Sequence, residues 1–213
     1  MAGPFKRIAV LCGEIVNNTD ATTDRIVHAL DVLEETARTL GPWQDTPLGF
    51  TRVRQGGWLV ALTRPELALR VALVFRAALW SEDGKPDTYV GMACGVAPDR
   101  VGPNLNLETS EAFIGASHAL DYLRGAGHRR FSFHADVALE GITALVDHVS
   151  GAWTKTQASA ALPFLTPGSL PSYTEVAKAQ GKTRQAVTKA VQAADLEVLT
   201  YALMCAEEAR RQD

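Results

Sequence analysis

Residues Gly49–Trp80, GFTRVRQGGWLVALTRPELALRVALVFRAALW, decide the fold. Two short strand-like runs, Gly49–Arg54 and Trp58–Leu62, flank Gln55-Gly56-Gly57, and paired glycines between such runs read as a hairpin turn. Thr63 then precedes Pro65 and Glu66, which opens a helix that continues to about Trp80. Upstream, Arg7–Cys12 (RIAVLC) is a continuous apolar run of strand length, as expected of a central strand covered on its faces. A helix capped by Thr19 or Asp20 follows it to about Leu40, with Ile26, Leu30, Leu33, Ala37 and Leu40 at helical spacing. Downstream come a strand over Thr88–Val96, a helix over Ser110–Arg124 and a strand over Arg129–Phe133. The first six elements spell strand–helix–strand–strand–helix–strand. That order predicts an α+β, ferredoxin-like (split βαβ) sheet with its helices on one face. The other face, fed by the apolar alternation of Gly49–Leu62, would then be buried in a homodimer.

Past Ser150-Gly151 the chain changes character, so a first domain is expected over residues 1–150 and a second over 151–213. Helical patterns at Asp136–Val149 and Thr154–Leu165 lead into the breaker-rich TPGSLP (Thr166–Pro171). Tyr173–Ala179, Thr183–Ala194 and Asp195–Arg211 are the last three helical segments. Net charge is −3, which does not announce a nucleic-acid binder. Within Ser172–Ala194, however, Lys178, Lys182, Arg184 and Lys189 face Glu175 alone, and local charge is what governs contact with DNA. Cys12, Cys94 and Cys205 are scattered with no CxxC, which argues against a zinc site or a disulfide framework. No apolar run is long enough for a membrane span, and the start lacks a cleavage site, so a cytoplasmic protein is expected.

The segment SYTEVAKAQGKTRQAVTKAVQAA carries the strongest functional signal. Ala177 is followed four residues later by Gly181 and six after that by Val187. A small Ala lets two helices cross closely, Gly permits the positive φ of a tight interhelical turn, and Val187 anchors the second helix. Gln180 and Lys182 depart from the apolar residues common at their places in such a motif. This pattern predicts a helix-turn-helix that meets double-stranded DNA through Lys182, Thr183, Arg184, Gln185, Thr188, Lys189 and Gln192. Arg184 and Gln185 suit base edges, and Lys182 and Lys189 suit phosphates.

On IAVLCGEIVNNT, GGWLVAL with ALRVALVFRAAL, SEAFIGASHALDYL, AWTKTQASAAL and EVAKAQGKTRQAVTKAVQAA, the chain resembles SatD-like proteins. That bacterial family joins an N-terminal ferredoxin-like domain to a C-terminal helix-turn-helix. The resemblance implies a winged helix-turn-helix transcription regulator. The N-terminal half also resembles, more remotely, class III nucleotidyl cyclases, in which an acidic residue after the first strand and an Asp in the hairpin turn hold two metal ions. Glu14 stands at the first position. The second falls at about Gly56, where no carboxylate exists. The expectation is therefore no enzyme, no catalytic or metal-binding residue and no cofactor. A small-molecule effector is left open, and a degenerate nucleotidyl-cyclase-like enzyme or nucleotide sensor is the alternative.

The five histidines show no metal-ligand spacing, and no serine lies in a GxSxG elbow. Gly127–Phe131 (GHRRF) pairs two arginines with an aromatic residue, a combination suited to phosphate, although an exposed turn entering a strand needs no such role.

Overall fold

The computed structural model describes residues 5–16, 22–44, 46, 48–98, 102, 104–167 and 170–211. Its elements are β1 (Phe5–Ile15), α1 (Thr23–Thr39), β2 (Gly49–Val53), β3 (Gly57–Leu62), α2 (Ala68–Trp80), β4 (Thr88–Pro98), α3 (Glu111–Gly125), β5 (Phe131–Phe133), α4 (Val137–Gly151), α5 (Lys155–Ala161), α6 (Tyr173–Ala179), α7 (Arg184–Ala193) and α8 (Leu196–Arg211). The chain is α+β, with a five-stranded mixed sheet and, among the described residues, eight α-helices. Strand order is β2-β3-β1-β4-β5. The first three neighbouring pairs are antiparallel, and β5 runs parallel to β4.

Side chains alternate between the faces of a strand. Ala9, Leu11 and Ile15 of β1 therefore join the core under α1 and α2, while Ile8, Val10 and Cys12 join a second core with Ala112, Phe113 and Ala116 of α3. Burial on both sides is why β1 reads as an unbroken apolar run. Helices were expected on one face; α3 covers the other. Its backbone lies so close to β4 that a Cβ at Gly91 would collide with the Ala116 carbonyl and the Leu120 amide, and one at Gly95 would lie 2.8 Å from the Ala112 nitrogen. The face expected to be buried in a homodimer is covered over β1 and β4 by the chain's own α3.

Helix α2 is buried along its whole length. It lies between the sheet and the C-terminal helices, so it carries almost no solvent-facing stripe, yet it contains two arginines. Arg70 Nε donates to Glu207 of α8 (2.5 Å), and its Nη1 donates to the Leu165 carbonyl (3.1 Å). Arg76 Nη2 donates to Asp147 of α4 (2.7 Å), and its Nη1 donates to Ser150 Oγ (2.7 Å). Arg210 of α8 also pairs with Asp136, whose side chain caps α4 by accepting from the Leu139 amide (2.8 Å). One continuous apolar core runs from β1 through α2 to Leu203 and Ala206 of α8.

The expected wing is absent: residues 137–211, as described, contain helices and connections but no strand. Leu196, Leu199, Leu203 and Ala206 recur at helical spacing and are buried, so the segment after α7 is the helix expected over Asp195–Arg211. The expected cap at Thr19 or Asp20 lies outside the described residues; α1 begins after Thr22. Among the described residues no helix is long and apolar enough to cross a membrane.

Two substitutions test this packing. Gly91→Ala forces α3 away from β4 and should lower unfolding free energy by at least about 2 kcal/mol, read from the urea midpoint. Glu207→Ala strands a buried guanidinium and should cost about 3–5 kcal/mol. Arg38→Ala, which breaks only exposed pairs, should move the midpoint little.

Candidate functional site

The residues assigned to DNA contact do gather on one side of the second helix of a tight corner. Gly181, at φ +62°, turns the chain between α6 and α7, and the Lys182 amide donates to the Ala177 carbonyl (2.9 Å). The Thr183 hydroxyl caps α7 by accepting from the Ala186 amide (3.2 Å). Lys182, Thr183, Arg184, Gln185, Lys189 and Gln192 are exposed, and Thr188 is half-buried with its hydroxyl bonded to the Arg184 carbonyl (3.0 Å). Lys182 Nζ donates to the Gln180 side chain (3.2 Å), and Gln180 in turn donates to the Ser159 carbonyl (2.6 Å). That bond to α5 explains a polar residue where an apolar one is usual. Ala177 and Val187 are buried at the crossing. The three residues that defined the motif are therefore spent on the corner itself.

In the sheet, the two positions of the expected metal pair do not converge. Glu14 follows the even-numbered residues of β1 toward α3, where its carboxylate accepts from Arg124 Nη2 (2.9 Å). Gly56, at φ +79°, lies on the opposite side of the sheet: a Cβ there would meet Ile26 and Ile15. A carboxylate at the hairpin would thus point away from Glu14. No group of three His, Cys, Asp or Glu side chains that could hold a metal occurs among the described residues. The chain does not fit a two-metal centre built on these positions. Cys12, beside Glu14 on the strand, is no nucleophile either, because burial pushes its thiol up to about 12.

What sequence reasoning missed is the space on the α1 side of that same strand end. A cavity of about 590 Å³ opens between the end of β1, the first turn of α1 and the Asp83–Asp87 turn. Ile15, Val16 and Ile26 give it an apolar floor, Arg25, His28 and Lys85 bring positive or ionisable groups to its rim, and Asp24, Asp83 and Asp87 bring carboxylates. Several rim charges already have partners. Asp83 binds Lys155 (2.5 Å), which holds its carboxyl below the usual range, and His28 approaches Glu82 (3.1 Å). Lys85 Nζ donates to the Trp153 carbonyl (2.6 Å) and sits over the Trp80 ring. Arg25 is exposed and forms no ion pair among the described residues. Ser81–Asp87 signals only a polar turn in the sequence. Its place beside α1 depends on β4 pairing with β1 across more than seventy residues, for example Ile15 with Thr88.

No protein-family model matches the chain, and no curated protein matches it. Among solved structures, a bacterial light-regulated adenylyl cyclase is similar over 71% of this chain and 82% of its own, at 12% identity and a TM-score of 0.44. The guanylyl cyclase Cya2 is similar over 55% of this chain and 73% of its own, at 14% identity and a TM-score of 0.37. At these scores the likeness is one of architecture and lends no residue a role. Both neighbours are named as nucleotide cyclases and neither as a DNA-binding regulator, so the expectation of a sequence-specific DNA-binding transcription regulator that is no enzyme is unsupported. The helix-turn-helix spacing that prompted it is accounted for by the packing of a helical corner that lacks a wing.

Proposed function

We propose that this chain is a nucleotide-binding relative of the class III nucleotidyl cyclases, acting as a nucleotide sensor through the cleft at the start of α1. The strand order β2-β3-β1-β4, with α1 and α2 as crossovers, supports a ferredoxin-like reading of the first four strands. The resemblance to SatD-like and cyclase sequences supports the same reading.

The observation that carries the proposal is the chemistry of the cleft. Its volume, about 590 Å³, lies in the range of small-molecule sites. The apolar floor suits a base, and the unpaired Arg25 suits a phosphate. The first turn of α1 offers backbone N–H groups and the positive end of a helix dipole, and the Thr22 side chain does not cap them. Glu14 faces the other side of the sheet, on Arg124, and takes no part in the cleft.

Titration calorimetry with ATP, GTP and their cyclic monophosphates should show saturable binding of at least one of them. Arg25→Ala, at an exposed position, should weaken that binding about tenfold while the melting temperature stays near that of the parent. Absence of saturation by every nucleotide at millimolar concentration, or equal affinity in the variant, would defeat the proposal.

A further inference from the structure

The Gly127–Phe131 run brings two arginines to a second cavity, of about 450 Å³, on the outer side of α2 and α4. Arg129 and Arg130 wall it together with Arg76 and Trp80 of α2, Asp87 ahead of β4, and His148 of α4. Four N–H donors in this wall are shielded from water and hydrogen-bond to nothing among the described residues. They are Nε of Arg76, Arg129 and Arg130 and the indole Nε1 of Trp80. Arg76 is 0% exposed and Trp80 7%. A buried donor without an acceptor is costly and rare, and each one calls for an explanation.

Five of the six terminal nitrogens of these arginines are in use. Arg76 spends both terminal nitrogens on Asp147 and Ser150. Arg129 spends its own on Glu140 (2.6 Å) and the Phe131 carbonyl (2.8 Å), and Arg130 Nη1 reaches the carbonyls of His128 and Arg129. Asp147, a buried carboxylate that also lines the cavity, already accepts from Arg76 and from the amides of Arg130 (2.8 Å) and Phe131 (3.3 Å). Asp87 stands 3.8 Å from Arg76 Nε and 3.3 Å from Arg130 Nε, close enough for attraction but out of hydrogen-bond geometry. Guanidinium and indole N–H groups donate and never accept, so these four donors need an acceptor, which a cation cannot supply. The side chain of Arg130 is 23% exposed, which makes it the wall that can swing aside.

We propose that this cavity is an anion site, which takes the phosphate of a small molecule or free phosphate on the donors of Arg76, Trp80 and Arg130 and displaces Asp87 from between them. It is separate from the nucleotide cleft, although Asp87 lines both. Three or four oxygens around one compact charge match donors that converge from several directions, and such charge-assisted bonds are the strong ones.

The experiment titrates the full chain with inorganic phosphate and with ribose 5-phosphate, followed by calorimetry and ³¹P NMR. Saturable binding is expected. At least tenfold tighter binding of the sugar phosphate assigns the site to a carried phosphate, and equal binding assigns it to the free ion. Trp80→Phe keeps a ring and removes one donor, so affinity should fall about tenfold. Asp87→Asn removes the competing carboxylate, so affinity should rise several-fold. These opposite signs distinguish the site from a general attraction of anions to the surface. If Trp80→Phe proves unfolded by circular dichroism, Arg130→Ala, whose side chain lines this cavity and not the nucleotide cleft, takes its place and should likewise lose about tenfold in affinity. No saturation by either phosphate at tens of millimolar, or unchanged affinity in the folded variants, would overturn the proposal.

Discussion

The position of almost everything C-terminal to the sheet depends on two guanidinium groups buried in one helix. An unpaired charge in an apolar interior is costly enough that the fold must bring it a counter-charge. Arg70 and Arg76 therefore fix where α8 and α4 dock on α2. Asp147 extends the effect, because the oxygen that does not meet Arg76 accepts from the amides of Arg130 and Phe131 at the start of β5. A single carboxylate thus ties α4, α2 and the edge strand together. The Arg76 guanidinium also stacks on the Phe131 ring at 3.9 Å, which gives its apolar faces a neighbour.

This arrangement makes α2 the inner layer between the sheet and the C-terminal helices. The sheet in turn cannot leave its second face open, because α3 fills it through two glycines of β4. The consequence for function is geometric. With both faces of the sheet packed by helices, room for ligands is left at the ends and sides of elements, and both cavities meet at Asp87 ahead of β4. One is floored by apolar side chains at the start of α1. The other is walled by donors that lack acceptors.

The helix-turn-helix pattern shows how a correct local reading can leave a function unsupported. Ala177, Gly181 and Val187 specify a close crossing and a left-handed turn, and the structure contains both. Those requirements belong to any short helical corner. The basic residues left outside are compatible with solvent as well as with phosphate, so the spacing carries information about packing and little about a partner.

The sequence by itself determined the secondary structure almost end to end, because strand and helix periodicities are written over a few neighbouring residues. The β1 run, the Gln55–Gly57 turn, the Pro65 start of the α2 segment and the Gly181 corner were all legible in this way. It also carried, unread, the two β4 glycines that admit α3. Tertiary structure alone decided that Glu14 faces α3 and Arg124 while Gly56 faces α1, since strand pairing sets which side of the sheet each residue meets. It alone paired Arg76 with Asp147 and Arg70 with Glu207, across 71 and 137 residues. An arginine inside an apolar helix declares that a carboxylate is needed, but not which one. That choice, and the cavities left beside it, is settled only when distant segments share one core.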